Sequence, residues 1–115
     1  MKYKVVTPYN DAPAHPIEVK QGETLQVIEE SNPKGDWPNW VLCQGLAKQG
    51  WVPKQILQLD NHTATVLKDY IATEHNLLVD EQLTAEYELN GWVWAFKHSA
   101  PTEFAWAPLN CMAEI

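Results

Sequence analysis

The residue types that could perform catalysis are few and poorly spaced in this chain. Serine occurs only at positions 31 and 99, in predicted loops with no obvious base beside them. No nucleophile elbow, glycine-rich phosphate loop or catalytic triad can be assembled. The carboxylates at 29–30 and 80–81 are most simply solvated faces and turns, because acid–base catalysis would require a cleft around them. We therefore predict that the protein is not an enzyme and has no catalytic residues.

The histidines and cysteines also lack the spacing that a metal site or a catalytic site would require. The histidines at 15, 62, 75 and 98 share no metal-ligand spacing, and we interpret them as solvated loop residues. The two cysteines, Cys43 and Cys111, form no Cys-x-x-Cys pair and are interpreted as reduced, half-buried thiols. The sequence therefore predicts no metal site and no cofactor.

Aromatic side chains point to another kind of chemistry, the binding of a protein. Six of the 115 residues are tryptophan, a residue that is enriched at the hot spots of interfaces. The alternative is that bulky rings fill or cover the thin core of a small domain. We expect Trp40 and Trp92 to lie at the surface, whereas Trp51 and Trp106 fit either role. Trp37 could wall a groove or cap one end of a domain.

Four landmarks occur twice in the same order, which indicates an internal duplication. They are a Val-x-x-x-Tyr segment at 5–9 and 66–70, an apolar run into an acidic turn at 17–25 and 77–83, an aromatic strand at 40–43 and 92–95, and a Trp-x-Pro signature at 51–53 and 106–108. The two copies differ by a few residues in their loops, where insertions are tolerated.

Each copy is all-β by pattern. Residues 24–29 alternate as a strand with one buried face does. Asn90-Gly91 suits a two-residue type I′ turn, and the prolines disfavour helix through the loops. The connection between the copies, roughly Asp60 to Thr63, is short and lacks a flexible Gly/Ser tract. Since a unit of this size is marginal alone, we expect the two copies to pack against each other.

These motifs resemble those of the Src-homology-3 (SH3) family, and more narrowly its bacterial variants that occur as a tandem pair. Residues 5–9 and 66–70 match the opening Ala-Leu-Tyr-Asp-Tyr motif. Residues 40–43 and 92–95 match the paired tryptophans followed by a small core residue, and residues 50–56 and 105–111 match Gly-aromatic-x-Pro-Ser-Asn-Tyr. The resemblance implies two consecutive five-stranded SH3-like barrels, residues 1–60 and 61–115.

The resemblance also implies a peptide-binding groove on each barrel. In the family, aromatic side chains form a shelf for a polyproline-II segment. Because this segment is already extended, ordering it on binding costs little conformational entropy. A loop carboxylate pairs with a ligand Arg or Lys. The implied binding residues are Tyr9, Glu18, Trp40, Trp51 and Pro53 in the first half and Tyr70, Glu74, Trp92, Trp106 and Pro108 in the second.

The grooves depart from the family pattern in one proline pocket. The two tyrosines that build it are replaced by Thr7 and Ile56 in the first half and by Lys68 and Cys111 in the second. Each half is therefore expected to keep a single pocket. The expected pockets are Tyr9 with Trp40 and Pro53, and Tyr70 with Trp92 and Pro108.

Charge and hydropathy restrict the partners. A net charge of −7 argues against nucleic acid, which requires a basic surface, and favours a basic or proline-containing protein segment. No apolar run is long enough to span a membrane, and the start lacks the apolar region of a secretory signal. We expect a cytoplasmic protein, a location that disfavours binding to a cell wall.

A second hypothesis gives the aromatic faces a different role. They would form barrel–barrel or chain–chain interfaces, as in an assembly protein or an immunity-type regulatory protein, with self-association as one outcome. Peptide binding predicts that Trp40 and Trp92 are exposed in the monomer, whereas assembly predicts that at least one of them is buried.

Overall fold

The computed structural model describes all 115 residues and confirms the all-β fold class. Two single-turn 3-10 helices, Lys54–Ile56 and Leu109–Cys111, are its only helices, and no helix has the length and apolar character to cross a membrane. The twelve strands are β1 Lys2–Val5, β2 Glu18–Val19, β3 Thr24–Glu30, β4 Trp40–Gly45, β5 Lys48–Pro53, β6 Leu57–Asp60, β7 Thr63–Val66, β8 Tyr70–Ile71, β9 Gln82–Leu89, β10 Trp92–Lys97, β11 Phe104–Pro108 and β12 Met112–Glu114.

These strands form two compact units that cut across the halves of the sequence. The terminal unit comprises residues 1–14 and 73–115, and the central unit comprises residues 15–72. The sheet of the terminal unit has the order β11-β10-β9-β1-β12, and that of the central unit has the order β5-β4-β3-β7-β6. The units therefore do not coincide with the predicted domains, 1–60 and 61–115, because each takes its first strand from the other half.

The turn between β6 and β7 explains this exchange. Only Asn61 and His62 separate the two strands, and Asp60 pairs with Thr63 across the turn. Asn61 has a φ of 56°, which asparagine tolerates better than most residues. A two-residue hairpin places the next strand antiparallel to the last and directly beside it. Strand β7 therefore occupies the place beside β6 that corresponds to the place of β1 beside β12.

The two sheets repeat one pattern of pairing. In the terminal unit Trp94 pairs with Tyr87 on β9 and with Trp106 on β11. In the central unit Leu42 takes the same position between β3 and β5. A β-bulge interrupts β3 and β9 at corresponding points of the two ladders. These registers make each residue of one sheet equivalent to a defined residue of the other. The predicted type I′ turn joins β9 to β10, with positive φ at both central residues.

Each unit has its own apolar core. The alternation of strand residues sends one set of side chains inward and the next outward. In both units the inward set comes from strands of both halves of the sequence. The core of the central unit is Ile17, Val19, Leu25, Val41, Cys43, Val52, Leu57, Ala64, Val66 and Ala72, and that of the terminal unit is Tyr3, Val5, Leu77, Leu83, Val93, Ala95, Ala107, Cys111 and Met112.

A carboxylate and a lysine fix an equivalent turn in each unit. In the central unit Glu23 accepts a hydrogen bond from the Lys20 backbone N–H at 2.7 Å, and its other oxygen lies 2.7 Å from Nζ of Lys48. In the terminal unit Glu81 accepts from the Leu78 backbone N–H at 2.6 Å, and its other oxygen lies 3.1 Å from Nζ of Lys97. Both turns are thus stabilised by the same pair of side-chain interactions.

Candidate functional site

The terminal unit brings a tyrosine, a tryptophan and a carboxylate into one group. Tyr9 lies in the segment after β1, and its ring meets Trp92 edge to face with centroids 5.7 Å apart. The Tyr9 hydroxyl donates a hydrogen bond of 2.6 Å to Oε1 of Glu74. Pro108 faces Trp92 across the β10–β11 ladder. We call Tyr9, Glu74, Trp92 and Pro108 the terminal cluster.

The central unit holds the corresponding group. Trp40 and Tyr70 have ring centroids 6.3 Å apart and planes inclined by 57°, and Pro53 faces Trp40 across the β4–β5 ladder. We call Trp40, Pro53 and Tyr70 the central cluster. The sequence predicted that Tyr9 would join Trp40 and that Tyr70 would join Trp92. The structure exchanges the tyrosines because each one follows an exchanged strand.

The indoles of both clusters are almost completely buried. Trp40 is 6% exposed and Trp92 is 7% exposed, so the expectation that both lie at the surface is wrong. Pro53 and Pro108 are buried as well, whereas Tyr9 and Tyr70 are half-buried. The accessible parts of each cluster are therefore the tyrosine and its polar neighbours. The open tryptophan shelf of the family pattern is not formed.

The two predicted acidic residues have different environments. Glu74 is half-buried beside Tyr9, and burial raises the pKa of its carboxyl. Burial also raises the pKa of the Tyr9 phenol, and its hydrogen bond to Glu74 acts in the same direction. Glu18 is exposed on β2, where its carboxylate lies 3.1 Å from Nζ of Lys20. The structure thus places Glu74 in a cluster, while Glu18 forms a solvent-exposed ion pair.

The two tryptophans of the Trp-x-Pro signatures differ in exposure. Trp51 is 39% exposed, whereas Trp106 is 3% exposed. Trp106 is covered on one side by Tyr87, with centroids 5.6 Å apart, and on another by Trp94, at 5.2 Å. Neither lies in a cluster with a tyrosine of the opening motif. Trp106 belongs instead to a group of rings on the outer face of β9, β10 and β11.

Sequence reasoning missed four members of that group: Tyr87, Trp94, Phe96 and Phe104. A period-two signal was present, since Trp-x-Trp-x-Phe at 92–96 and Phe-x-Trp at 104–106 each place aromatic residues on a single face of a strand. The structure pairs these strands so that the rings meet. Phe96 lies opposite Phe104, and Trp94 lies opposite Trp106.

Other reactive side chains have structural environments. His75 is half-buried, its Nε2 lies 2.8 Å from the Ala95 carbonyl oxygen, and burial lowers its pKa. The interpretation of His75 as a solvated loop residue is therefore wrong. Cys43 and Cys111 are free and buried. Burial raises the pKa of the Cys43 thiol to about 11, so it is protonated at neutral pH and is a poor nucleophile.

The fold, the order of the motifs and the aromatic clusters together define an SH3-type protein. The chain belongs to the variant SH3 domain family, whose family model matches residues 2–60. No match was found among curated proteins or among solved structures. SH3-type domains are protein-binding modules. The matched stretch contains strands of both units, since β1 lies in the terminal unit and β2 to β6 lie in the central unit.

Proposed function

We propose that this protein is a non-enzymatic, tandem SH3-type module that binds a basic segment of another protein at the terminal cluster. The observation that carries this proposal is the position of Glu74, a half-buried carboxylate 2.6 Å from the Tyr9 hydroxyl and next to the Tyr9–Trp92 ring pair. The half-buried Tyr9 ring suits the apolar part of a ligand side chain or a proline. The carboxylate suits an ammonium or guanidinium group.

The electrostatics of Glu74 favour a cationic ligand. Burial raises the pKa of its carboxyl because the charged form is poorly solvated. A ligand lysine or arginine that approaches the carboxylate would supply the missing counter-charge. The net charge of −7 adds long-range attraction for basic partners, an effect that salt weakens.

The central cluster provides a second and weaker site. It retains the Tyr–Trp–Pro combination, but the exposed carboxylate of Glu18 is already paired with Lys20 at 3.1 Å. Two sites on one chain increase apparent affinity when a single partner engages both. The residues proposed to contact the ligand are Tyr9 and Glu74 at the terminal cluster and Tyr70 and Glu18 at the central one. The other members of the clusters, Trp92 with Pro108 and Trp40 with Pro53, are buried beneath them. The cytoplasmic location and the bacterial source remain predictions.

A titration followed by NMR tests this function. Labelled protein would be mixed with short Arg- and Pro-containing peptides while amide and indole signals are recorded. We expect saturable shifts around Tyr9 and Glu74, weakened in Glu74→Gln, where the counter-charge is lost. Glu18→Gln is the matched control and should leave those shifts unchanged. Unchanged spectra at millimolar peptide would contradict the proposal for these ligands.

A second candidate function is supported by the burial of Trp40 and Trp92. Rings that are 6% and 7% exposed can serve the fold rather than a ligand. The other aromatic surfaces would then mediate assembly, or neutralise a protein partner as an immunity-type regulator does. Sedimentation over a range of concentrations distinguishes the two functions. Assembly predicts a mass that rises with concentration, and peptide binding by a monomer predicts a constant mass.

A further inference from the structure

The sheet of the terminal unit carries a continuous group of rings on the side opposite its core. Trp94 stacks on Phe104 with centroids 6.1 Å apart and planes inclined by 21°, and Phe96 meets Phe104 edge to face at 5.2 Å. Trp106 lies beneath Trp94 and Tyr87. We call Tyr87, Trp94, Phe96, Phe104 and Trp106 the outer aromatic face.

Parts of this face are accessible to solvent. Tyr87 is 51% exposed, and Trp94, Phe96 and Phe104 are half-buried. Only Trp106 is buried. The four accessible rings are neighbours on three adjacent strands, so they present one surface rather than scattered apolar residues. Contiguous aromatic surface of this kind usually marks a site of interaction.

The central unit shows that the sheet does not require these rings. Its equivalent positions, defined by the shared strand register, hold two glutamines, a glutamate, a leucine and only one aromatic residue. A sheet with the same pairing is therefore built with polar side chains on this face. The residues equivalent to Tyr87, Trp94, Phe96, Phe104 and Trp106 are Glu29, Leu42, Gln44, Gln49 and Trp51.

The terminal unit, which carries these rings, is the more acidic of the two units. Glu86 and Glu88 flank Tyr87, Glu103 precedes Phe104, and all three carboxylates are exposed. The terminal unit contains eight carboxylate residues and three lysines, a difference of −5, whereas the central unit contains seven and five, a difference of −2. Arginine and lysine side chains bind aromatic faces through cation–π attraction, and an acidic surrounding strengthens their attraction to the surface.

We propose that the outer aromatic face is a docking surface for a basic, arginine-containing segment of another protein. The surface shares no residue with the terminal and central clusters, although Trp92 of the terminal cluster precedes Trp94 on the same face of β10, and its proposed function does not depend on theirs. Charge decides the occupant. A second copy of this chain would bring two strongly acidic units together, whereas a basic segment is attracted by the excess negative charge of the terminal unit.

A binding experiment on the full chain tests this surface with defined probes. A peptide of alternating glycine and arginine would be titrated into labelled protein, and a glycine–glutamate peptide would serve as the charge control. We expect saturable movement of the Trp94 indole signal with the arginine peptide only. Absence of such movement at millimolar arginine peptide would overturn the proposal.

The central unit supplies the substitutions for a matched variant. Trp94→Leu, Phe96→Gln and Phe104→Gln together give the terminal unit the side chains of Leu42, Gln44 and Gln49, which the same strand pairing accommodates. We expect this triple variant to lose affinity for the arginine peptide by at least about tenfold, given the typical strength of cation–π contacts. Unchanged affinity in a variant with a dispersed, native-like spectrum would overturn the proposal.

A second set of variants leaves every ring in place. Glu86→Gln, Glu88→Gln and Glu103→Gln should weaken arginine-peptide binding and reduce its dependence on salt. Glu29→Gln, Glu30→Gln and Asp60→Asn, which neutralise exposed carboxylates of the central unit, should leave affinity almost unchanged. Equal effects of the two sets would show non-specific attraction and contradict the proposal. Glu74→Gln should not alter binding here, which separates this surface from the terminal cluster.

Self-association is the remaining outcome, and sedimentation decides it. We expect the free protein to keep a constant mass as its concentration rises. A mass that rises with concentration, and that returns to the monomer value in the Trp94→Leu, Phe96→Gln, Phe104→Gln variant, would assign the face to a second copy and overturn the basic partner.

Discussion

The two units build the same sheet and cover it with different side chains. Trp51 and Trp106 occupy equivalent positions, yet the first is 39% exposed and the second 3% exposed. The difference follows from their neighbours, because Trp106 is packed against Tyr87 and Trp94. Glu29 and Leu42 stand in the corresponding positions beside Trp51. The comparison shows that backbone pairing leaves the outer face free to differ between units.

The interactions that shape the backbone, by contrast, are present in both units. Glu23 with Lys48 and Glu81 with Lys97 stabilise equivalent turns, each through a backbone hydrogen bond and an ion pair to a lysine. Both units also complete their sheet with a first strand from the other half of the sequence. The turns and the strand exchange that determine the fold are therefore common to both units, whereas the side chains of the outer face differ between them.

Cutting the chain should produce the largest effect. The fragment 15–72 contains every strand of the central unit, and we expect it to fold alone. The fragment 73–115 lacks β1, which lies between β9 and β12 and supplies Tyr3 and Val5 to the core. Burial of two such side chains contributes about 1.5–3 kcal/mol each, a large part of the stability of a small domain. We therefore expect 73–115 to be unfolded by circular dichroism.

Adding the missing strand provides the control for this experiment. A synthetic peptide of residues 1–14 should restore the dispersed spectrum of the fragment 73–115 when it is supplied in excess. A peptide with Val5→Asp should fail to do so, because it would bury an unpaired charge. Fragments 1–60 and 61–115 that were each as stable as the intact chain would contradict the exchanged architecture.

A smaller effect is expected from a single methyl group at equivalent positions. A Cβ on Gly50 would lie 2.7 Å from Cγ2 of Ile17, so Gly50→Ala should destabilise the central unit by about 1–3 kcal/mol through overpacking. The terminal unit already has Ala105 at the equivalent position. Ala105→Gly should therefore cost less, about 1 kcal/mol or below. Urea denaturation measures both, and equal costs would show that Ile17 moves aside.

The smallest difference that we expect between the two units is in how their stability depends on pH. Burial raises the folded-state pKa of Glu74 above the ordinary carboxyl value of 4.5. The ionisation of Glu74 therefore makes the folded state less stable as the pH rises above 4.5. Hydrogen bonding from Lys48 lowers the folded-state pKa of Glu23, so its contribution is present above pH 4.5 and lost as pH falls below it.

Two variants that replace a carboxylate with a neutral amide should show that stability changes with pH in opposite directions at these two sites. Relative to the wild type, Glu74→Gln should become more stable as pH rises from 4 to 7, whereas Glu23→Gln should become less stable from pH 3 to 5. The measurement is the urea midpoint of each variant at several pH values. A common sign for the two variants would contradict the environments described for these carboxylates.

Sequence patterns predicted where the strands lie better than they predicted which strands pair with each other. The alternation of Thr24 to Glu29 and the Asn90-Gly91 turn are local signals, and both correspond to observed elements. The SH3-type fold was also recognisable, because its motifs follow one another along the chain. The exchange of first strands was missed because strand motifs do not specify which neighbour they pair with. The clue was the short link at 61–62, which was interpreted only as a reason for the two copies to pack together.

The candidate site was predictable only as a set of residue types. Tyr9, Tyr70, Trp40 and Trp92 were identified, but their pairing follows from the strand exchange and their burial from tertiary packing. Sequence position placed Glu18 and Glu74 in similar loops, while the structure places only Glu74 beside a ring pair. The outer aromatic face was missed because the period-two pattern was used to identify strands rather than to ask which residues share a face.

A nuclear Overhauser experiment on dilute protein tests the exchanged architecture most directly. The ring centroids of Tyr9 and Trp92 are 5.7 Å apart, and those of Tyr70 and Trp40 are 6.3 Å apart. We predict cross-peaks between Tyr9 and Trp92 and between Tyr70 and Trp40, with intensities that do not depend on protein concentration. Cross-peaks between Tyr9 and Trp40 and between Tyr70 and Trp92 would show that each half folds on itself, and would contradict the account.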